Sequence, residues 1–298
     1  MSRTTLGYLY LTLAMMLAGS TVVASKIAAA GLPPFTATAL RFALALPCFL
    51  VLLRVSGQRL PRPGLRDGAL LVVQGLAGTV GYTVLLMGGL RATSALDAGV
   101  ILGTLPVVSS VVAVCVLGER PRPALLATVA LAGAGLIVLQ PAGAGAGPTA
   151  GNALVLGAVL CEALFILLDK RLRIEISPLA LSTLMCAIGL AAALPFALAE
   201  RAPVTAAAPS ALLAVAYYAL VPTVGGFLLW YAGAARVGGT EAALFTALAP
   251  VAALLLAALL LHEPVSGRQL AGITLVLGAV AVPALLRGAV RAQDELTP

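Results

Sequence analysis

Charged residues are scarce in this sequence: Asp, Glu, Lys and Arg together make up 10% of its 298 residues. A soluble globular domain is typically about half apolar and about a quarter charged. Here hydrophobic residues make up 61%, and the mean hydropathy is +1.09. Water cannot solvate a surface so poor in charge, so these values exclude a soluble domain and indicate that lipid is the solvent of the chain.

Histidine and cysteine are also scarce, which limits the metal and redox chemistry open to the chain. His262 is the only histidine, so multi-histidine metal sites are excluded. The four cysteines lie inside apolar runs without Cys-x-x-Cys spacing, and we interpret them as small packing residues. The nucleotide-binding pattern Gly-x-x-x-x-Gly-Lys-Ser/Thr does not occur. We therefore expect neither a metal nor another cofactor.

The abundant apolar residues form long runs. A helix needs about 20 mostly apolar residues to cross the hydrocarbon core of a bilayer, and these runs lack the alternation that membrane-spanning strands need. The sequence therefore predicts an all-α integral membrane protein with ten transmembrane helices. We place them at residues 6–26, 36–54, 68–90, 95–117, 123–140, 152–169, 178–199, 210–232, 240–261 and 267–287.

The net charge of +7 could suggest nucleic acid, but the basic residues sit in short gaps between the predicted spans. Membrane topology explains them better, because cytoplasmic loops carry an excess of Lys and Arg. With the N-terminus in the cytoplasm, 13 basic residues lie inside, four lie outside, and Arg41 lies within a span. We predict a multi-pass protein of a bacterial-type inner membrane with both termini in the cytoplasm and no nucleic-acid partner.

An internal repeat appears when the sequence is shifted by 144 residues. The landmarks that then coincide are Lys26 with Lys170, Pro34 with Pro178, Gly81 with Gly225, Asp97 with Glu241, Pro106 with Pro250, and Glu119 with Glu263. Each half carries five predicted spans, and five is odd, so the second half must enter the membrane from the opposite side. We predict two inverted five-helix halves, residues 1–145 and 146–298, as in many secondary transporters.

Several of these landmarks together resemble the EamA-type proteins of the drug/metabolite transporter superfamily. The resemblance is carried by Ala18-Gly19-Ser20 with Lys26, Pro33-Pro34, Arg41-Phe42, Leu105-Pro106, Gly118-Glu119-Arg120-Pro121, Ala249-Pro250 and His262-Glu263-Pro264. It implies a ten-helix fold around a central cavity and the export of small metabolites. The branch that exports amino acids, including aromatic ones, is similar in length and layout. The chain departs from the family pattern in the sixth predicted helix, where Cys161-Glu162 replaces a common aromatic residue.

Two charged residues fall inside predicted spans. A carboxylate such as Glu162 costs several kcal/mol in the membrane unless it faces a cavity or a partner. We expect it to meet a substrate ammonium or a proton; the alternative is a neutral acid hydrogen-bonded between helices. Arg41 is a candidate to bind a carboxylate, or else to extend to the membrane interface. Its repeat counterpart is Met185, so the fold does not need an arginine at both positions.

The remaining cavity candidates are small, hydroxylated or aromatic residues near the middle of their spans. Glycines on one helix face allow a ligand to approach the backbone, and mid-span tyrosines are suited to an apolar or aromatic substrate. These candidates are Ser20, Gly78, Tyr82, Phe165 and Tyr218.

Prolines and charges at repeated positions suggest moving parts. Pro106, Pro222 and Pro250 free backbone carbonyls at membrane depth, as hinges or helix breaks do, although they could merely curve the helices. Charges at equivalent helix ends form a second set, which either anchors the helices at the interface or forms gating ion pairs at the two mouths. This set is Lys26, Lys170, Glu119 and Glu263.

We therefore expect a monomeric or homodimeric secondary transporter rather than an enzyme. It would export small metabolites, with amino acids favoured, by alternating access. The alternatives are an exporter of other metabolites or drugs, a channel, and a membrane-embedded lipid-phosphate transferase. The transferase would need clustered carboxylates for Mg²⁺, whereas the acids here are dispersed. Proton coupling and facilitated diffusion both stay open.

Overall fold

The computed structural model describes residues 2–118, 123–139, 146–237, 242 and 245–279, and within these ranges the regular structure is helical. The α-helices are α1 (Arg3–Gly31), α2 (Pro34–Val55), α3 (Leu65–Gly75), α4 (Tyr82–Leu90), α5 (Ala95–Leu102), α6 (Leu105–Leu117), α7 (Pro123–Leu139), α8 (Ala146–Asp169), α9 (Pro178–Glu200), α10 (Pro209–Tyr218), α11 (Gly226–Val237), α12 (Leu248–Leu260) and α13 (267–279). Two π-helical segments, π1 (Leu76–Gly81) and π2 (Ala219–Gly225), join α3 to α4 and α10 to α11, and a 3₁₀ turn covers Val204–Ala206.

Six helical segments are long and apolar enough to cross a membrane, so this is a multi-pass membrane protein. They are Arg3–Gly31, Pro34–Val55, Leu65–Leu90, Pro148–Asp169, Pro178–Glu200 and Pro209–Val237. Helices α5 and α6 make a seventh span if the pair, bent by 46°, is counted as one. Helices α7, α12 and α13 are shorter within the described ranges. Helical structure thus lies at every predicted span, while the count of ten stays a prediction.

The helix ends follow local chemistry. The Ser94 hydroxyl accepts a hydrogen bond from the backbone N–H of Asp97 at 2.9 Å and so caps α5. Ser177 caps α9 in the same way. Pro34 and Pro178 begin α2 and α9, where the missing N–H costs nothing. Gly118, whose φ of 67° favours glycine, caps the C-terminus of α6.

Element boundaries recur at the 144-residue offset seen in the sequence. Helices α2 and α9 begin at equivalent prolines, and π1 and π2 end at the equivalent glycines Gly81 and Gly225. At one end of the α2–α9 pair, Glu200 binds the N-terminus of α2; at the other, the Ser177 hydroxyl donates to Gln58 just after α2. These equivalent helices therefore run antiparallel, which is the arrangement that an inverted repeat predicts for them.

Small residues allow the helices of the two halves to pack closely. A Cβ atom added to Gly19 in α1 would lie 2.6 Å from both the Ala249 carbonyl oxygen and the Ala253 nitrogen. Gly89 in α4 and Gly151 in α8 approach each other as closely, since a Cβ on Gly89 would lie 2.7 Å from the Gly151 carbonyl oxygen. Lipid supplies no hydrophobic force between helices, so such close van der Waals contacts hold a membrane bundle together.

We predict that Gly19→Ala destabilises the protein, because its methyl group would force α1 away from the backbone of α12. Overpacking of this kind typically costs about 1–3 kcal/mol. The thermal unfolding midpoint in detergent, followed by size-exclusion chromatography, should fall. Gly133→Ala is the matched control, since a Cβ there meets nothing within 4 Å. Equal midpoints for the two variants would contradict the packing at Gly19.

Candidate functional site

A cavity of about 850 Å³ lies between helices of both halves. This is within the usual range of small-molecule sites. Its walls are largely apolar and aromatic, and the charged residues among its lining are Arg41, Glu162 and Asp169. Asp169 ends α8 on the predicted cytoplasmic face, so the cavity extends towards that face.

Most of the lining residues form pairs that are 144 positions apart, one member from each half. Pairs of this kind include Ala18 and Glu162, Thr21 and Phe165, Arg41 and Met185, Gln74 and Tyr218, Gly78 and Pro222, Thr79 and Thr223, Tyr82 and Gly226, and Pro106 and Pro250. Positions that are equivalent in sequence therefore line this cavity from both halves, although the chemistry differs within several pairs.

Nearly all of the residues expected at the cavity line it. They are Arg41, Gly78, Tyr82, Glu162, Phe165 and Tyr218. Pro106, Pro222 and Pro250, which were expected as hinges or helix breaks, also line it. Ser20 is the exception: its buried hydroxyl donates to the Leu17 carbonyl at 2.6 Å and lies 2.8 Å from the Tyr217 hydroxyl, outside the lining. Whether the lining residues bind a substrate stays a prediction.

Neutral groups hold the Arg41 guanidinium. Its Nε donates to the Thr223 hydroxyl at 3.2 Å and its Nη1 to the Thr83 hydroxyl at 3.1 Å. The guanidinium carbon lies 3.7 Å from the centre of the Tyr218 ring and 4.8 Å from that of Phe42, which gives cation–π contacts. Across the described ranges no carboxylate lies within 4 Å of it. The positive charge is thus oriented but not neutralised by a close partner.

The π-helical segment π2 supplies one of these groups. Pro222 has no N–H to donate to the Tyr218 carbonyl four residues earlier, and the Thr223 hydroxyl donates to that carbonyl at 2.8 Å. In π1 the equivalent Thr79 hydroxyl donates to the Gly75 carbonyl. Because the Thr223 oxygen also accepts from Arg41, the backbone irregularity in the second half orients the cation of the first half.

Glu162 lies on α8 and faces the same cavity. No described residue donates a hydrogen bond to its carboxylate or forms an ion pair with it. The hydrogen-bonded interhelical acid considered above is therefore not the arrangement in this part of the chain. Its repeat counterpart Ala18 also lines the cavity, so the fold does not require a carboxylate at this position.

Glutamates at the opposite end of the bundle bind helix N-termini of the other half. Glu263 accepts from the backbone N–H groups of Ala95 and Leu96 at 3.0 and 2.9 Å, at the start of α5. Glu200 accepts from the N–H of Phe35 at 3.2 Å and from both the N–H and the hydroxyl of Thr36 at 2.7 Å, at the start of α2. An anion at a helix N-terminus is stabilised by the helix dipole.

Lys26 and Glu263 do not form the gating ion pair that the sequence suggested as one possibility for this end of the bundle. Lys26 donates to the carbonyls of Leu90 and Thr93 at 2.6 and 2.5 Å, so it compensates the C-terminus of α4. It shares a second cavity, of about 600 Å³, with Glu263 but lies beyond ion-pair distance of it. Lys170 is exposed in the turn after α8, and Glu119 lies outside the described residues.

Sequence reasoning missed Thr83, Thr223, Gln74 and Glu200. Thr223 carried a usable signal, because it follows a mid-span proline and coincides with Thr79 in the repeat. Glu200 carried a weaker one, as an acid at the end of a span. Within the described ranges no three His, Cys, Asp or Glu residues are grouped so that they could hold a metal ion.

The model of the EamA-like transporter family matches residues 5–140 and again residues 149–284. The chain belongs to this family. Its two family domains are offset by the same 144 residues as the landmarks, the helix ends and the cavity pairs. The resemblance seen in the sequence is thereby confirmed.

Relatives and a solved structure agree with this membership. The uncharacterized transporter YetK of Bacillus subtilis is 34% identical over 282 residues, which cover 92% of this chain and 86% of YetK. A probable terminal-alkyne amino-acid exporter of Streptantibioticus cattleyicolor is 29% identical over 202 residues, 68% of each chain. One crystal structure has a TM-score of 0.65 at 23% identity, covering 96% of this chain and all of its own, which shows a shared fold.

We predict that Thr223→Val lowers the free energy of unfolding by about 1–3 kcal/mol, because the part-buried Arg41 Nε–H loses its acceptor. Thr223→Ser keeps the hydroxyl, so its free energy of unfolding should remain close to that of the wild type. Thermal unfolding of the three proteins in one detergent measures the difference. A valine variant as stable as the wild type would mean that the hydroxyl is dispensable in π2.

Proposed function

We propose that this EamA family protein exports amino acids and similar small zwitterions across a bacterial inner membrane by alternating access. The observation that supports this most is the Arg41 guanidinium, held by neutral groups in the same cavity as the Glu162 carboxylate. Among the described residues these two side chains form no ion pair with each other. A molecule that carries both an ammonium and a carboxylate would complement both.

The carboxylate would bind Arg41. Arginine binds carboxylates through charge-assisted and often bidentate hydrogen bonds, and the hydroxyls of Thr83 and Thr223 and the Tyr218 ring orient this guanidinium beforehand. Preorganisation of this kind reduces the entropy lost on binding. The equivalent Met185 shows that the bundle packs without a charge here, so a recognition role explains Arg41 better than a structural one.

The ammonium would bind Glu162, whose carboxylate has no donor among the described residues. A charged group inside a membrane protein is costly without a partner, and a substrate ammonium is a suitable one. Tyr82, Phe165 and Tyr218 would then contact the substrate side chain, which suits apolar and aromatic amino acids. The relative named as an amino-acid exporter agrees with this choice of substrate.

We predict that proteoliposomes containing the purified protein exchange amino acids in a counterflow assay, tested with a panel that includes aromatic ones. Arg41→Met, which installs the residue of the equivalent position, should reduce the apparent affinity at least tenfold, because a charge-assisted hydrogen bond contributes about 1.5–3 kcal/mol. The apparent affinity of Arg41→Lys should lie between those of the wild type and Arg41→Met, since lysine keeps the charge but loses the planar fork.

Three results would contradict this proposal. Absence of counterflow with every amino acid tested would show that amino acids are not the substrates. Counterflow with other metabolites would then identify the substrate class. Linear, unsaturable flux would indicate a channel. Running the panel with and without a pH gradient separates proton coupling from facilitated diffusion, and loss of a pH response in Glu162→Gln would assign coupling to that residue.

Glu200 and Glu263 would hold the outer end closed in this mechanism. Both belong to the second half, and both bind helix N-termini of the first half, on the predicted outer face. The cavity extends to Asp169 at the other end of the bundle, which with the predicted topology would make this arrangement the inward-open one. Opening to the outside requires that α2 and α5 leave these two carboxylates.

We predict that Glu200→Gln and Glu263→Gln each shift the protein towards an outward-open state, because a neutral amide interacts less favourably with a helix N-terminus. The loss is about 0.3–1 kcal/mol per site, a factor of about two to five. In a background without the native cysteines, Met185→Cys in the cavity wall should react correspondingly faster with an impermeant thiol reagent added outside.

Glu175→Gln is the matched control for this measurement. Glu175 is exposed in the loop between α8 and α9, on the predicted cytoplasmic face, so its neutralisation should leave the labelling rate unchanged. Equal labelling of all three glutamine variants would show that the two carboxylates do not hold the outer end closed.

A further inference from the structure

Gln74 is a fully buried polar side chain in the wall of the cavity, near the end of α3. Its Nε2 donates to the Phe165 carbonyl oxygen at 3.0 Å. Its Oε1 has no hydrogen-bond partner in the described parts of the chain. Buried polar atoms in native proteins nearly always have a partner, so an exception needs an explanation.

The orientation of this amide follows from its neighbour. A backbone carbonyl oxygen can only accept a hydrogen bond, so the NH₂ group of Gln74 must face Phe165 and the Oε1 must point away from it. The unpartnered atom is therefore an acceptor. Only a hydrogen-bond donor can satisfy it.

The position of Gln74 relates it to both charged residues of the cavity. Its Nε2 contacts α8 at the Phe165 carbonyl, about one helical turn along from Glu162, and both Gln74 and Glu162 belong to the cavity lining. Its counterpart at the 144-residue offset is Tyr218, whose ring contacts the Arg41 guanidinium. Of these two equivalent positions, Gln74 thus offers an acceptor and Tyr218 supports a cation.

We infer that Gln74 Oε1, which is buried within the cavity wall in the state described, becomes a substrate contact during transport and accepts a hydrogen bond from the ammonium of the transported molecule. This inference rests on the proposed function, which it extends from the charges to a neutral group. Glu162 and Gln74 then offer acceptors to the ammonium, while Arg41 offers donors to the carboxylate. The cavity selects molecules with a primary amine as well as a carboxylate, and it fixes which way round they bind.

The test compares an amino acid that the wild-type protein exchanges with its des-amino carboxylic acid, which keeps the carboxylate and side chain. Both are measured as competitors of counterflow in proteoliposomes. In Gln74→Met, which has similar length but no acceptor, the inhibition constant and KM of the amino acid should rise about tenfold. Those of the des-amino acid should change less than twofold, and the maximal rate per folded protein should be retained.

Two further variants make the result specific. A protonated glutamate in Gln74→Glu can donate to the Phe165 carbonyl and still offer an acceptor oxygen, so it should restore most of the amino-acid affinity at low pH. Gln58→Met makes the same chemical change in the exposed segment after α2, outside the cavity, and should have no effect. If Gln74→Met does not fold, the glutamate variant still tests the inference through the pH dependence of KM.

The possible failures are distinguishable. An unchanged amino-acid KM in Gln74→Met would overturn the inference alone, and would indicate that water satisfies the oxygen instead. Equal weakening of the amino acid and the des-amino acid would assign Gln74 a structural role and overturn it as well. Absence of amino-acid counterflow in the wild type would overturn the proposed function together with this inference.

Discussion

Backbone polar groups at membrane depth must find hydrogen-bond partners within the protein, because lipid offers none. In this protein that constraint decides where the cavity can be. The backbone departs from regular α-helix in π1, in π2 and at the bend between α5 and α6, and residues from each of these places line the cavity. Irregular backbone is tolerated only where protein or an internal cavity satisfies it.

Threonine hydroxyls add donors where the backbone is irregular. Those of Thr79 and Thr223 donate to the carbonyls just before the two π segments, and Thr104 at the α5–α6 bend donates to the Ile101 carbonyl at 2.6 Å. Thr223 also accepts from Arg41, so the same hydroxyl that satisfies the backbone orients the cation. A hydrogen bond to the backbone and the orientation of a cation in the cavity therefore depend on the same residue.

Much of the fold could be predicted from the sequence, because apolar length and helix breakers are local signals. The predicted span 95–117 coincides with the outer limits of α5 and α6, and the mid-span position of Pro222 indicated the break in π2. The repeat offset was equally readable, and it relates the two family domains. Inversion was inferred from an odd number of spans, and the antiparallel pairing of α2 with α9 agrees with it.

Contacts between distant helices could not be predicted in this way. Helix α1 is apolar on nearly all sides, so its sequence does not indicate which face meets the cavity; Ser20 was expected there and instead packs towards Tyr217. The partners of Glu200 and Glu263 are more than 160 residues away along the chain. Their role as helix caps depends on how the halves dock, and a single sequence does not specify that.

In the proposed mechanism, the movement of the two halves and the recognition of a substrate would depend on different features of the cavity. Two halves that contribute equivalent surfaces can exchange conformations, and that exchange does not depend on the identity of any one lining residue. In the proposed mechanism, recognition would depend instead on the pairs in which the halves differ: Arg41, whose repeat counterpart is Met185, and Glu162, whose counterpart is Ala18. An ionised Glu162 offsets the charge of Arg41, and a zwitterion adds no net charge. The loaded and the empty cavity then carry the same net charge. The membrane potential, worth about 2.3 kcal/mol per elementary charge per 100 mV, would therefore favour neither state of the exchange.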